Sequence, residues 1–83
     1  MDITKEIKDK VLESAKDIFR EYSINMADYY GQIYPIAEST ENNLIEVDVV
    51  FNHYTTEKAL KIESLVFNVL DGKILQYSNK KLV

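Results

Sequence analysis

Residues 44–54 read Leu44-Ile45-Glu46-Val47-Asp48-Val49-Val50-Phe51-Asn52-His53-Tyr54. Ile45, Val47, Val49 and Phe51 alternate with Glu46, Asp48 and Asn52, the two-residue period of a strand that turns one face to a core and the other to water. A strand needs neighbours, and both flanks supply them. On the C-terminal side Tyr54 to Lys58 is a polar link, and Leu60 to Leu70 and Lys73 to Lys81 are two further apolar stretches around Asp71-Gly72, a strong hairpin signal. On the N-terminal side Thr40-Glu41-Asn42-Asn43 has turn composition, and Gln32 to Ser39 is an extended stretch that Pro35 confines to a sheet edge.

Face matching sets the expected register of the last hairpin. A two-residue loop would place Phe67 against Gln76 and Leu65 against Ser78. A three-residue loop, Leu70-Asp71-Gly72 with Gly72 left-handed, pairs Phe67 with Leu75 and Leu65 with Tyr77. Strict alternation then leaves Ile62, Val66 and Ile74 on the face opposite Leu65 and Phe67. That hairpin would be apolar on both sides, and Ile62, Val66 and Ile74 are the residues expected to mediate self-association.

Ahead of the strands, Ile3, Ile7, Val11, Ala15, Ile18 and Tyr22 recur at three- and four-residue spacing. Leu12 and Phe19 widen that stripe, and charged residues fill the other side of an amphipathic helix. Asp2 or Thr4 is placed to cap it, and Glu6 and Lys10 form a favourable pair one turn apart. Between helix and strands, Asn25 to Tyr30 is read as a short helical turn stopped by Gly31. The fold class is therefore α+β: an N-terminal amphipathic helix packed on a three- or four-stranded antiparallel sheet. Links this short exclude parallel crossovers of a dozen residues or more.

Eighty-three residues suit a single domain, and a 46% hydrophobic, 29% charged composition is that of a globular chain. So small a core leaves a thin stability margin, which burial of a further face in a homodimer would widen. The absence of cysteine excludes disulfides and thiol chemistry and points to a reducing, cytoplasmic setting. No signal peptide is read at Met1 to Glu6, and no apolar run reaches the roughly 18 residues of a membrane span.

The formal charge of −4 conceals a segregation. No lysine or arginine lies between Arg20 and Lys58, an interval holding Glu21, Asp28, Glu38, Glu41, Glu46, Asp48 and Glu57. Tyr22, Tyr29, Tyr30, Tyr34 and Tyr54 lie in the same interval, and tyrosine suits contact surfaces. Glu38, Glu41, Glu46 and Asp48 with Tyr29, Tyr30 and Tyr34 are the expected protein-binding residues, and the expected partner is another protein with a basic surface. Direct nucleic-acid binding conflicts with a pI near 4.9 and with lysines that mostly alternate with acids.

No catalytic, cofactor or metal constellation is read. His53, the only histidine, has no serine, lysine or carboxylate fixed to it by spacing. Glu46 and Asp48 share a face but lack the glycine turn and further oxygens of a calcium loop. Gly31 and Gly72 are too far apart to build a phosphate loop. Gly72-Lys73-Ile74-Leu75-Gln76-Tyr77, with the preceding strand Ile45 to Phe51, resembles the closing strands of the gas vesicle protein O family of small assembly proteins. The likeness covers about half the chain, lacks that family's tryptophan near Ile45, its Arg-Pro element and its arginine-tyrosine ending, and assigns no membership. Three functions are thus expected in order. The first is a non-enzymatic binding module, in its sharpest form a phage- or plasmid-type inhibitor that occupies a basic nucleic-acid-binding site. The others are an assembly subunit that associates through the last hairpin or through the Gln32 to Ser39 edge, and a small-ligand-binding domain.

Overall fold

Thr4 starts α1, Lys5–Arg20, by accepting a hydrogen bond from the Ile7 N–H at 3.2 Å, one of the donors that a helix cannot satisfy from within. Asp2, the other cap that the sequence offers, lies outside residues 3–82, which this computed structural model describes. Lys10 meets Glu6 at 3.4 Å; both are exposed, so the pair contributes only about 0.3–0.5 kcal/mol. The helix stops at Arg20, short of Tyr22. The N–H groups of Tyr22 and Ser23 bond back to Phe19 and Arg20 at 3.0 and 3.1 Å, and Ser23 takes a positive φ of 61°.

The segment after the helix forms one 3-10 turn, Met26–Asp28, capped by the Asn25 side chain. Tyr29 and Tyr30 then enter β1, Tyr29–Ser39, so Gly31 does not stop a helix but sits within a strand. It is glycine because α1 crosses there. A Cβ would lie 2.5 Å from Leu12 Cδ2 and 2.9 Å from Phe51 Cε1.

β2 (Leu44–His53), β3 (Ala59–Asn68), β4 (Lys73–Gln76) and β5 (Asn79–Leu82) complete an antiparallel sheet of five strands ordered β1-β2-β3-β4, with β5 also pairing β3. The chain is α+β with the N-terminal helix across one face, as its sequence pattern implies. β1 is an edge strand, and Pro35 falls where its register with β2 shifts. The expected strand Lys73 to Lys81 is instead two pieces. Ser78 breaks it by donating its N–H and its hydroxyl to Glu63 O at 2.9 and 3.0 Å.

The inner face holds the core. Val11, Ala15 and Phe19 of α1 meet Val47, Val49 and Phe51 of β2 and Ile62, Leu65 and Phe67 of β3, all wholly buried. Phe19 and Phe51 stack edge to face with centroids 5.9 Å apart, worth about 0.5–1.5 kcal/mol beyond the area they bury.

Two departures from strict alternation correct the expected faces. β3 carries an extra residue opposite Asp48: Val47 pairs Leu65 and Val49 pairs Ile62, with Glu63 and Ser64 between, and Ser64 sits at φ 52°. The bulge reverses the phase, so Leu60 and Ile62 face inward together with Leu65 and Phe67. At the last hairpin Phe67 pairs Ile74 and Asn68 pairs Lys73, giving a four-residue loop, Val69 to Gly72, rather than three. Asn68 decides this by accepting from the N–H groups of Leu70 (2.9 Å) and Asp71 (3.2 Å). Gly72 is left-handed as expected, at φ 74°. Ile74 therefore packs against the core and Leu75 is exposed. The expected apolar face of Ile62, Val66 and Ile74 does not exist, because two of the three point inward.

Gly31→Ala is expected to destabilise the protein by about 1–3 kcal/mol, since the Phe51 ring has no room to retreat. In a Leu12→Ala background the same change should cost markedly less, and urea unfolding of the four variants measures the difference.

Candidate functional site

With α1 on one side, the sheet presents its other face to solvent, and alternation decides what stands there. β1 contributes Tyr30, Gln32 and Tyr34. β2 contributes Glu46, Asp48, Val50 and Asn52, and β3 contributes Lys61 and Val66. Across the strands these form rows: Tyr30 beside Asn52, Gln32 beside Val50 and Lys61, Tyr34 beside Asp48, Ala37 beside Glu46 and Val66. An open groove of about 770 Å³ runs over the middle rows between Tyr34, Gln32 and Asn52 on one bank and Lys61 and Ser64 on the other.

The polar groups here are partly engaged with one another. Tyr34 donates its hydroxyl to Gln32 Oε1 at 3.0 Å, and Asn52 Nδ2 approaches the same oxygen at 3.4 Å. Asp48 Oδ1 accepts from the Ser64 N–H at 3.0 Å. That bond gives Asp48 a structural task, since it satisfies the backbone donor exposed by the bulge.

The expected binding residues are brought together only in part. Glu46, Asp48, Tyr30 and Tyr34 share the outer face. Glu38 pairs Ile45 near one end of the sheet and Glu41 lies in the turn beyond it, both exposed. Tyr29 does not join them: the strand's alternation turns it inward, half-buried against the core, with its ring edge-on to His53 at 5.0 Å. Tyr30 instead meets Tyr54, centroids 5.2 Å apart.

Lysines from beyond the acidic interval fold onto this same face. Lys61 stands opposite Val50, and Lys81, paired with it across β5, bonds Glu63 at 2.8 Å. Lys80 goes the other way, to Tyr22. Its ammonium donates to the hydroxyl and lies 4.1 Å from the ring centroid, and the hydrogen bond is the main reason its pKa is raised above the usual lysine value. The outer face is thus aromatic along β1, acidic toward the 40–43 turn and mixed along β3 and β5, where Lys61 and Lys81 stand with Glu63. Gln32, Asn52 and Ser64 belong to it although composition did not single them out; Gln32 and Asn52 were legible from alternation with Ile33 and Phe51.

His53 has an occupied ring. Its Nδ1 accepts from the N–H groups of Thr55 and Thr56, each at 3.1 Å, and so organises the link to β3. Among the described residues no three of His, Asp and Glu gather as a metal site, and no helix is long and apolar enough to cross a membrane. Comparison with protein-family models, with curated proteins and with solved structures finds no match to this chain.

Asp48→Ala should cost about 1–2 kcal/mol by stranding the Ser64 N–H, whereas Asp48→Asn, which keeps an acceptor at Oδ1, should cost less than half of that; thermal unfolding compares the two.

Proposed function

We propose that this chain is a non-enzymatic protein-binding module that presents the outer face of its sheet to a basic surface on a partner protein. The observation that carries the reading is the grouping of Tyr30 and Tyr34, 42% and 51% exposed, with Glu46 and Asp48 on a face that no described element covers. Aromatic rings bury large area at low entropic cost, while the carboxylates steer a cationic surface into register. A non-enzymatic role is further supported by His53, whose Nδ1 is committed to the turn that follows it. In its most specific form the partner site is one that otherwise holds nucleic-acid phosphate, with Glu46 and, at the adjoining turn, Glu41 in the place of phosphate charges and the cytoplasm as the setting; Glu38, opposite the core residue Ile45, lies on the other face.

Glu46 is the test residue, because Asp48 is tied to the fold. A partner captured from the native host and identified by mass spectrometry should lose about tenfold in affinity to the variant Glu46→Lys, and binding should weaken as salt is raised. Glu57→Lys, in the link before β3, should leave the affinity unchanged. Equal binding by wild type and Glu46→Lys at low and high salt would sink the proposal.

A further inference from the structure

We propose that β1 pairs with β1 of a second copy of this chain, antiparallel and centred on Gln32, so that two sheets join into one across a two-fold axis. The backbone argument starts at the end of the β1–β2 ladder. Tyr54 N–H donates to Asp28 O at 3.0 Å, and His53 N–H turns to Lys58 O on the β3 side at 3.0 Å. Successive residues of an antiparallel strand direct both backbone groups first to one neighbour and then to the other. Along the unbroken register from Tyr29 with His53 to Pro35 with Val47, Tyr30, Gln32 and Tyr34 therefore bond toward β2. Gly31 and Ile33 aim their N–H and C=O groups at the edge, where no described strand pairs with them. Pro35, next in that outward set, has no N–H to leave bare.

The two edges of the sheet are unlike. The β4 and β5 edge is broken at Tyr77-Ser78 and carries Lys73, Lys80 and Lys81, features that discourage further pairing. From Tyr29 to Ala37 the β1 edge carries no charged side chain. A basic partner strand would gain nothing from such an edge, whereas a copy of the same strand meets no like charge on it.

Three registers put outward-facing residues opposite one another near the middle of this stretch. Centring on Gly31 brings Tyr29 into the bonded set, yet its N–H is already given to Met26 O. Centring on Ile33 brings in Pro35. Centring on Gln32 bonds Gly31 to Ile33 of the second copy, and the reverse, for four hydrogen bonds in two complete pairs, and leaves Tyr29 opposite Pro35 of the second copy, with no N–H to give on either side, only at the ends of the seam. The same register sets Tyr30 beside Tyr34 of the second copy twice over, in close pairs whose backbone groups turn away. The shift at Pro35 and Ala37 ends the pairing, so the contact closes as a dimer. This proposal is independent of what the outer face binds; it would place four tyrosines along one seam.

The chain has no cysteine, so Gln32→Cys introduces a single thiol. On the two-fold axis its Cα would lie about 4.5 Å from its counterpart, within disulfide reach. Mild oxidation should yield covalent dimer from Gln32→Cys and little from Tyr30→Cys or Tyr34→Cys, whose own counterparts lie four residues out of register. Sedimentation of wild type should show mass rising with concentration from 9.7 kDa toward twice that value. The variant Tyr30→Lys with Tyr34→Lys should stay monomeric, and Tyr30→Lys with Tyr34→Glu should regain the dimer. A wild-type mass fixed at 9.7 kDa up to roughly 1 mM, or equal cross-linking at all three cysteine positions, would overturn the proposal.

Discussion

A single hydrogen bond from the Ser64 N–H to the Asp48 carboxylate holds the point on which both faces of the sheet depend. β3 reads Leu60-Lys61-Ile62-Glu63-Ser64-Leu65-Val66-Phe67, and no uninterrupted strand could bury Leu60 and Ile62 together with Leu65 and Phe67. The extra residue lets both halves face α1. Ser64 accepts a left-handed backbone to do it, a conformation that costs about 1 kcal/mol for a residue with a side chain, and the carboxylate across the strand offsets part of that cost. Without the bulge either Ile62 or Leu65 would stand in water. The core would lose its middle layer.

The sequence carried the coarse architecture because period and composition agree in α1 and β2. Val11, Ala15 and Phe19 repeat at four-residue spacing with no glycine or proline between, and Ile45 to Phe51 alternate without exception. What escaped it were events that insert or remove one residue from a period. The break was written in β3 itself, where Ile62 and Leu65 are three apart, but periodicity alone reads such a gap as two faces rather than one bulged face. At the hairpin, Asp71-Gly72 located the turn while Asn68 set its length. Asn68 works by bonding two backbone donors, which face matching does not weigh. Gly31 misled for a related reason. Its neighbours suggest a helix stop, and its cause is Leu12, nineteen residues away in sequence, pressing on the strand.

Charge was less legible than shape. The interval without lysine or arginine folds into both strands of the β1–β2 hairpin, so its carboxylates separate: Glu46 and Asp48 to the outer face, Glu41 to one turn, Glu57 to the link at the opposite end. Lysines that the linear map placed outside the interval return beside it. Lys61 comes back through β3, and Lys81 returns to hold Glu63. Segregation along a chain survives folding only where strands of one sign pair with each other. Here β2 lies between β1, uncharged from Tyr29 to Ala37, and β3, where Lys61 is balanced by Glu63, which makes a graded face rather than an acidic one.

The grading has a consequence for how such a small protein manages its open surface. Among the described residues the twelve buried apolar ones all sit on the α1 side, and the other face must stay hydrated without inviting nonspecific association. Gln32, Asn52, Lys61 and the Lys81–Glu63 pair serve that purpose through the centre and along β3. Toward β1 the protection lapses: Tyr30, Tyr34 and the half-exposed Ile36 stand next to a strand edge with free donors and acceptors. A residue that only needed to be wet would cost less as lysine or glutamate, which solvate more readily than a phenol ring and blunt an edge as well. Rings at Tyr30 and Tyr34 satisfy neither demand, whereas contact with another protein surface, the role proposed above, would meet both.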